Sequence, residues 1–307
     1  MSEVFISVVV CTYNRAFYIQ KTIESLLHQS LEKDCYEIIV IDNASTDHTA
    51  RVLSRYKDIR YIYEPKQGLS LARNMGIAHS KGEIVAYIDD DAIASKNWLE
   101  NIVKAFSMDP EIAAVGGKIN PLWEIKKPEW ITPQLYTYFS CIDWSPHAIY
   151  LRRGRFLFGC NMAIKKSVLI ECGGFSNDIG RIGGNLLSNE EWHVFKYIDK
   201  KMLKKYYDPA ICVDHIVLKH RISWKWLNQR LYWQGVSNLY YDYFIEKLTN
   251  TKILKKYFRE MSNAAKKELM RLRNGTINKI YIGLLVSRYT GFLVHFMKIA
   301  FRRPAKQ

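Results

Sequence analysis

The sequence predicts an α/β fold: a mostly parallel sheet with helices on both faces, followed by a C-terminal helical extension. Three observations predict it. Short apolar, β-branched runs alternate with segments of helical spacing through the first half. Those runs are continuous rather than alternating, as strands covered on both faces must be. From residue 223 onward the spacing stays helical to the end.

The elements follow in order. FISVVVC (5–11) reads as a buried strand, residues 19–28 as a helix and EIIVI (37–41) as a second buried strand. NASTD (43–47) supplies N-cap side chains for a helix reaching about residue 56. Residues 59–63 form a short strand, and 69–79 a helix closed by Ser80-Lys81-Gly82. EIVAYI (83–88) is the next strand and runs straight into Asp89, Asp90 and Asp91. A helix over 98–106 and a strand over 112–115 come next, the latter ending at a glycine pair. Residues 120–155, rich in Pro and Trp, read as a long irregular excursion of the kind that is often functional. RFLFGCNMAIK (155–165) returns to strand, and a short helix stops at Gly173-Gly174. A glycine-bearing loop over 176–188, a helix over 190–200 and a strand over 211–217 complete this part.

The chain has 307 residues, 48% hydrophobic and 24% charged, the balance of a globular protein with a real core. Its net charge of +15 is unevenly placed. Residues 1–215 hold 26 basic and 26 acidic side chains, whereas 216–307 hold 19 and 4. That asymmetry points to an anionic partner for the C-terminal part, membrane lipid or nucleic acid. The expected division is 1–220 for the α/β domain and 221–307 for a basic helical region. The six cysteines form no CxxC pair, which argues against a zinc or redox motif. Cys11, Cys160 and Cys212 lie in apolar runs and read as small buried hydrophobes in a reducing compartment. With no basic n-region ahead of the first strand, the expectation is a cytoplasmic protein.

In open α/β sheets ligands bind beyond the carboxyl ends of the strands. Three such ends carry polar residues here: Thr12, Tyr13 and Asn14; Asp42 and Asn43; and the Asp89–Asp91 triplet. Alternation along a strand puts Asp89 and Asp91 on one face and Asp90 on the other. A cation that bridges phosphates takes one or two protein carboxylates, and this arrangement supplies them. The alternative is an acidic turn that caps the next helix. A second acid pair, Glu190-Glu191, follows the glycine-bearing loop; such a pair can act as a base or simply favour a helix dipole.

VVVCTYNR (8–15), EIIVIDNASTD (37–47), GLSLARNMGI (68–77) and GEIVAYIDDD (82–91) closely resemble glycosyltransferase family 2, whose members have the GT-A fold. The resemblance covers roughly residues 1–215. It implies a nucleoside diphosphate sugar as donor, a UDP-sugar first, with Mg²⁺ or Mn²⁺ and an inverting displacement. By position, Asp91 would be the direct metal ligand. Asp89 and Asp90 would contact the ribose or a water beside the metal. Thr12, Tyr13 and Asn14 would surround base and ribose, with Asp42 in the base-recognition motif. Asn43 stands where many relatives carry a second acid, which leaves guanosine and thymidine donors open. Arg73 would reach the diphosphate, or lie on a helix surface. Glu191 would be the catalytic base, with Glu190 the alternative. His215 would complete the metal shell or serve as a buried structural histidine.

A sugar-nucleotide pyrophosphorylase or a dinucleotide oxidoreductase would need a glycine-rich phosphate loop after the first strand, and Thr12-Tyr13-Asn14-Arg15 has no glycine. The remaining alternative is a basic lipid- or nucleic-acid-binding protein with a degenerate transferase domain. The intact acidic motifs argue against it, so nucleic acid is not the expected partner. The expected acceptor is a glycan or a lipid-linked glycan, added to once rather than processively. In the last segment Arg288, His295, Lys298 and Arg302 share a helical face, and the apolar runs between them are too short to span a bilayer. Such a helix is expected to lie in an anionic membrane interface, or to pack on the protein.

Overall fold

The structure, a computed structural model, describes residues 6–273 and 279–301. It resolves into two compact units. One is built from the described residues up to Asn177 together with Glu190–Lys219; the other takes Asp178–Asn189 and the described residues from His220 onward.

The first unit is organised by one sheet. Strand β1 (Ile6–Thr12) leads through helix α1 (Ile19–Leu27) to β2 (Tyr36–Asp42). Helix α2 (Thr49–Leu53), β3 (Arg60–Tyr63), α3 (Leu69–His79) and β4 (Ile84–Asp89) follow. These four strands lie parallel in the order β3-β2-β1-β4; the Val and Ile residues of β1, β2 and β4 are buried, whereas β3 is a largely exposed edge. That burial on both faces is what the continuous apolar runs demand.

Beyond β4 the sheet becomes mixed. A three-residue strand, β5 (Ala92–Ala94), precedes helix α4 (Trp98–Ser107) and the long β6 (Ile112–Trp123). Then come β7 (Ile149–Tyr150), β8 (Asn161–Lys165), α5 (Lys166–Glu171), α6 (Glu190–Lys200) and β9 (Lys204–Val217). β8 runs antiparallel to both β4 and β6, whereas β6 and β9 are parallel. β5 and β7 pair antiparallel with β9. α3 packs on β1 and β2, α4 on β6 and β9, α5 on β8 and α6 on β9.

Several expectations change in detail. The strand foreseen over 112–115 continues through its glycine pair to residue 123, because β9 accompanies it past a register shift between Gly117 and Ile119. Residues 155–160 are not strand; pairing with β4 and β6 begins only at Asn161. The irregular segment contains a 3₁₀ turn, Pro133–Phe139, whose Tyr136 and Phe139 pack on Trp123.

The second unit consists of α7 (Trp224–Tyr240), a π turn over Tyr241–Ile245, α8 (Asn250–Arg273) and α9 (Lys279–Ala300). The Ser223 hydroxyl caps α7 by accepting from Trp226 N at 3.2 Å. Leu239, Ile253, Tyr257, Phe292 and Phe296 form its core. Asn189 and Ser188 are tied to α7: Gln234 Nε2 donates to Asn189 Oδ1 at 2.9 Å, and Ser188 N to Ser237 Oγ at 3.0 Å.

Helices α7 and α9 cross backbone to backbone. A Cβ at Gly235 would overlap the Arg288 carbonyl oxygen, and one at Gly291 the Tyr232 carbonyl oxygen. Two glycines thus fix which face of α9 meets α7. That face carries polar groups. Arg288 Nη2 lies 2.6 Å from the Asn238 amide and 3.8 Å from Glu260. Tyr240 Oη is 3.0 Å from His295 Nδ1, and Ser287 Oγ donates to Asn228 Oδ1 at 2.6 Å. Arg288 and His295, expected to share one basic face of a helix that lies in a membrane interface or packs on the protein, face into the helical unit; Arg302 of that stripe lies outside the described residues.

Gly291→Ala tests the crossing. Alanine improves helix propensity by about 1 kcal/mol. The overlap is with backbone, which cannot rotate away, and overpacking of this kind costs about 1–3 kcal/mol or more. The expected outcome is a net loss of stability in urea unfolding; an unchanged or raised midpoint would show that the helices are not held this closely.

Candidate active site

The parallel register brings the polar strand ends together. Cys11 is paired with Asp89 and Thr12 with Asp42. The acidic triplet is then met from the other side of the sheet: β5 pairs Ala92 with His215, and Ile216 N donates to the Asp91 carbonyl at 2.8 Å. His215 is buried, and its Nε2 lies 3.3 Å from Asp91 Oδ1. Its Nδ1 faces Cys141 Sγ at 3.9 Å. One ligand atom each from Asp89, Cys160 and His215 lie within 4.8 Å of one another. The structure thus gathers all three residues foreseen as metal ligands, Asp91, Asp89 and His215.

Two carboxylates and an imidazole form a donor set that can hold a divalent cation. Cys160 adds a buried thiol to the cluster, pushed well above its ordinary range by burial. These residues fit a divalent cation.

Arg15 is a site residue that sequence reasoning missed. Its guanidinium lies 3.5 Å from both Asp90 and Asp91. Asn14 places it there. At φ 54 Asn14 turns the chain back, and its Oδ1 accepts from Thr46 N at 2.7 Å and Asp47 N at 3.2 Å. The available signal was its place directly after TYN at a strand end. Burial pushes the Asp90 carboxyl up to about 7; Arg15 opposes this, and the Asp91 charge adds to it.

The expected base-binding residues are placed as follows. Thr12 is buried and Tyr13 partly exposed. Asp42 accepts from Ser45 N at Oδ1 and from Tyr61 Oη at Oδ2, both at 2.9 Å. The Asn43 amide is committed to the backbone: Nδ2 donates to Lys66 O and Oδ1 accepts from Gly68 N, both at 2.7 Å. Asn43 therefore shapes the entry to α3, and Asn14 braces the 46–47 turn.

Arg73, on α3, is buried rather than on the helix surface. It is 3% exposed, and its Nη1 donates to Glu190 Oε1 at 3.0 Å and to Glu191 Oε1 at 3.2 Å. Burial alone would lower its pKa, but Glu191, Glu190 and Asp89 hold it above the ordinary value. The Glu190 side chain is 4% exposed and that of Glu191 17%, so Glu191 is the member of the pair that solvent reaches. Gly159 makes room for the contact. A Cβ there would overlap Arg73 Nη2 and stand 2.5 Å from Glu191 Oε1. Asn161, just beyond, spends its amide internally, accepting from Trp98 Nε1 at 2.8 Å and donating to Lys118 O and Ile211 O.

A mixed sheet whose strand ends gather acids on an imidazole, with a second acid pair held by a buried arginine, defines a glycosyltransferase of the GT-A type. The chain belongs to glycosyl transferase family 2, whose sequence model matches residues 7–173. It is 29% identical over 254 residues to the glucosyl-dolichyl phosphate glucuronosyltransferase of Haloferax volcanii, covering 80% of each chain. A dolichyl N-acetyl-α-D-glucosaminyl phosphate 3-β-D-2,3-diacetamido-2,3-dideoxy-β-D-glucuronosyltransferase of Methanococcus voltae is 29% identical over 130 residues, 39% of this chain and 40% of that one. The fold is similar to that of mannosyltransferase PcManGT from Pyrobaculum calidifontis, solved with GDP-Man and Mn²⁺: TM-score 0.61, 20% identity, 95% of this chain and 88% of that one. It is also similar to residues 1–349 of S. aureus TarS with UDP, at TM-score 0.55 and 12% identity, over 98% and 93% of the two chains.

Two outcomes follow from the geometry. Gly159→Ala should separate Arg73 from Glu191 and lower kcat roughly 10- to 100-fold, since a displacement of about 1 Å suffices for that; an unchanged kcat would show that the contact is dispensable. Asp90, with its folded value raised, contributes stability that is fully present below the ordinary carboxylate range and is lost as pH rises through about 7. In metal-free protein, Tm of the wild type should therefore fall relative to Asp90→Asn between about pH 4 and 7. A difference that stays flat across that window would count against the raised value.

Proposed function

We propose that this glycosyltransferase inverts the anomeric centre of a nucleoside diphosphate sugar, a UDP-sugar first, and passes the sugar to a hydroxyl of a glycan or lipid-linked glycan. The observation that carries the proposal is Arg73. A single buried guanidinium holds Glu190 and Glu191 and lies in the field of Asp89, which supports placing the metal-type acids and the base-type acids in one site.

Asp91, Asp89 and His215 would hold Mn²⁺ or Mg²⁺. Such a cation supplies charge neutralisation at the leaving diphosphate. Glu191 is the base: its carboxylate accepts the acceptor hydroxyl proton as that oxygen attacks the anomeric carbon, and Arg73 fixes its orientation. Glu190, more deeply buried, anchors the other side of Arg73 and is the alternative base. Asp42 takes the base N–H, and Thr12, Tyr13 and Asn14 line the base and ribose. Asp90 and Arg15 keep the triplet in place.

The lipid-linked acceptor is supported by the names of the Haloferax and Methanococcus relatives, both of which specify dolichyl phosphate sugars. A peripheral site on an anionic membrane surface agrees with the 19 basic and 4 acidic residues of 216–307.

The test is donor hydrolysis by the whole chain with Mn²⁺ and a panel of UDP-, GDP- and dTDP-sugars, UDP-glucuronic acid among them. One donor should release nucleotide, with loss in Asp91→Ala and on removing metal with a chelator. Glu191→Gln should lower transfer to acceptor about 10²- to 10⁴-fold while leaving donor binding in place. Metal-independent turnover, or a Glu191→Gln enzyme as fast as wild type, would overturn these assignments.

A further inference from the structure

Helix α9 is built inside out. Its polar residues Asn228-bonded Ser287, Arg288 and His295 face α7 and α8, as described above. Its opposite face carries Ile282, Val286, Leu293 and Met297, which recur at helical spacing and are 41%, 60%, 49% and 51% exposed. Phe301, one turn beyond Met297, is 81% exposed. Lys298, which is exposed, borders this stripe. The Gly235 and Gly291 contacts prevent α9 from rolling to bury its apolar side, because either backbone would have to retreat. The stripe is outward by construction.

An apolar stripe of this length calls for a partner, and charge selects which one. A second copy would bring together two helical regions that each hold the chain's whole excess of +15. An anionic lipid surface reverses the sign of that term. The exposed Lys255, Lys266 and Lys267 of α8 lie in the same unit and add to the attraction. Among the described residues no helix is long and apolar enough to cross a membrane, so contact is with the surface.

We infer that the outward face of α9, Ile282, Val286, Leu293 and Met297 with Phe301, seats in the headgroup boundary of an anionic bilayer, while Arg288 and His295 hold the helix to the protein. The inference deepens the peripheral-membrane reading and rests on it. It reverses the arrangement in which the basic stripe would meet the headgroups.

The test is flotation of the full-length protein with vesicles of phosphatidylcholine mixed with phosphatidylglycerol, and with phosphatidylcholine alone. Wild type should bind the mixed vesicles. Val286→Asp with Leu293→Asp should lose at least about tenfold of that binding, because affinity follows the apolar area inserted. Val286→Asn with Leu293→Asn should lose binding similarly, which separates lost insertion from charge repulsion. Donor hydrolysis and helical circular dichroism should be retained in both variants. Wild-type binding by the Asn variant would overturn the proposal. So would light scattering that shows a wild-type dimer converted to monomer by the same substitutions. Absence of donor hydrolysis with vesicle binding intact would strike the transferase reading alone and leave the docking face supported.

Discussion

A guanidinium out of water is costly unless carboxylates and good geometry meet it, and removing one partner of such a set costs far more than the set contributes. Arg73 is under that constraint. It reaches Glu190 and Glu191 from helix α3, while Gly159 leaves the space in which they meet. Helix α6, which begins with those two acids, is thereby tied to the β1-β2 side of the sheet, on which α3 packs. The one contact joins elements more than a hundred residues apart in sequence.

The same contact sets the electrostatics of the cleft. Five carboxyls, those of Asp89, Asp90, Asp91, Glu190 and Glu191, lie with the guanidiniums of Arg15 and Arg73. Burial relieves part of the excess by pushing Asp90 up to about 7. What remains would repel a diphosphate unless a cation stood between them. The proposed metal thus follows from charge as well as from the donor set.

How much of this could be read from the chain depended on what each signal encodes. Runs such as FISVVVC encode burial on two faces, so the parallel core and the convergence of its strand ends were legible. β5 was not, because three residues carry no periodicity and it exists only as a partner of β9. The first half of β9 contains Lys204, Lys205, Asp208 and Pro209, which conceal a strand. Asn14 and Asn43 show a deeper limit. An asparagine at a strand end can face a ligand or brace a loop, and both need the same amide. Here Asn43 is committed to backbone at both ends of its amide and Asn14 at its Oδ1, and Arg15, displayed by the turn at Asn14, reaches the acids. Arg73 was recognised as notable, but only the fold reveals that it faces acids from far along the chain.

The helical unit inverts a common rule. Periodicity finds which residues share a face, yet it does not say which face points in. Arg288 and His295 do share one, and a reader expecting charge outside would send it to solvent. The glycine pair and the polar groups of α7 send it inward, where Asn238, Tyr240 and Glu260 satisfy it. The apolar residues left outside then need a reason. Residues 1–215 balance 26 basic against 26 acidic side chains, so that part carries no net attraction to an anionic surface. The attraction resides with the exposed apolar stripe in the C-terminal region. For an acceptor confined to a bilayer, holding the enzyme at that surface replaces a three-dimensional search by a high local concentration. On the proposed membrane reading, the helices would raise the acceptor's effective concentration and leave the chemistry to the sheet.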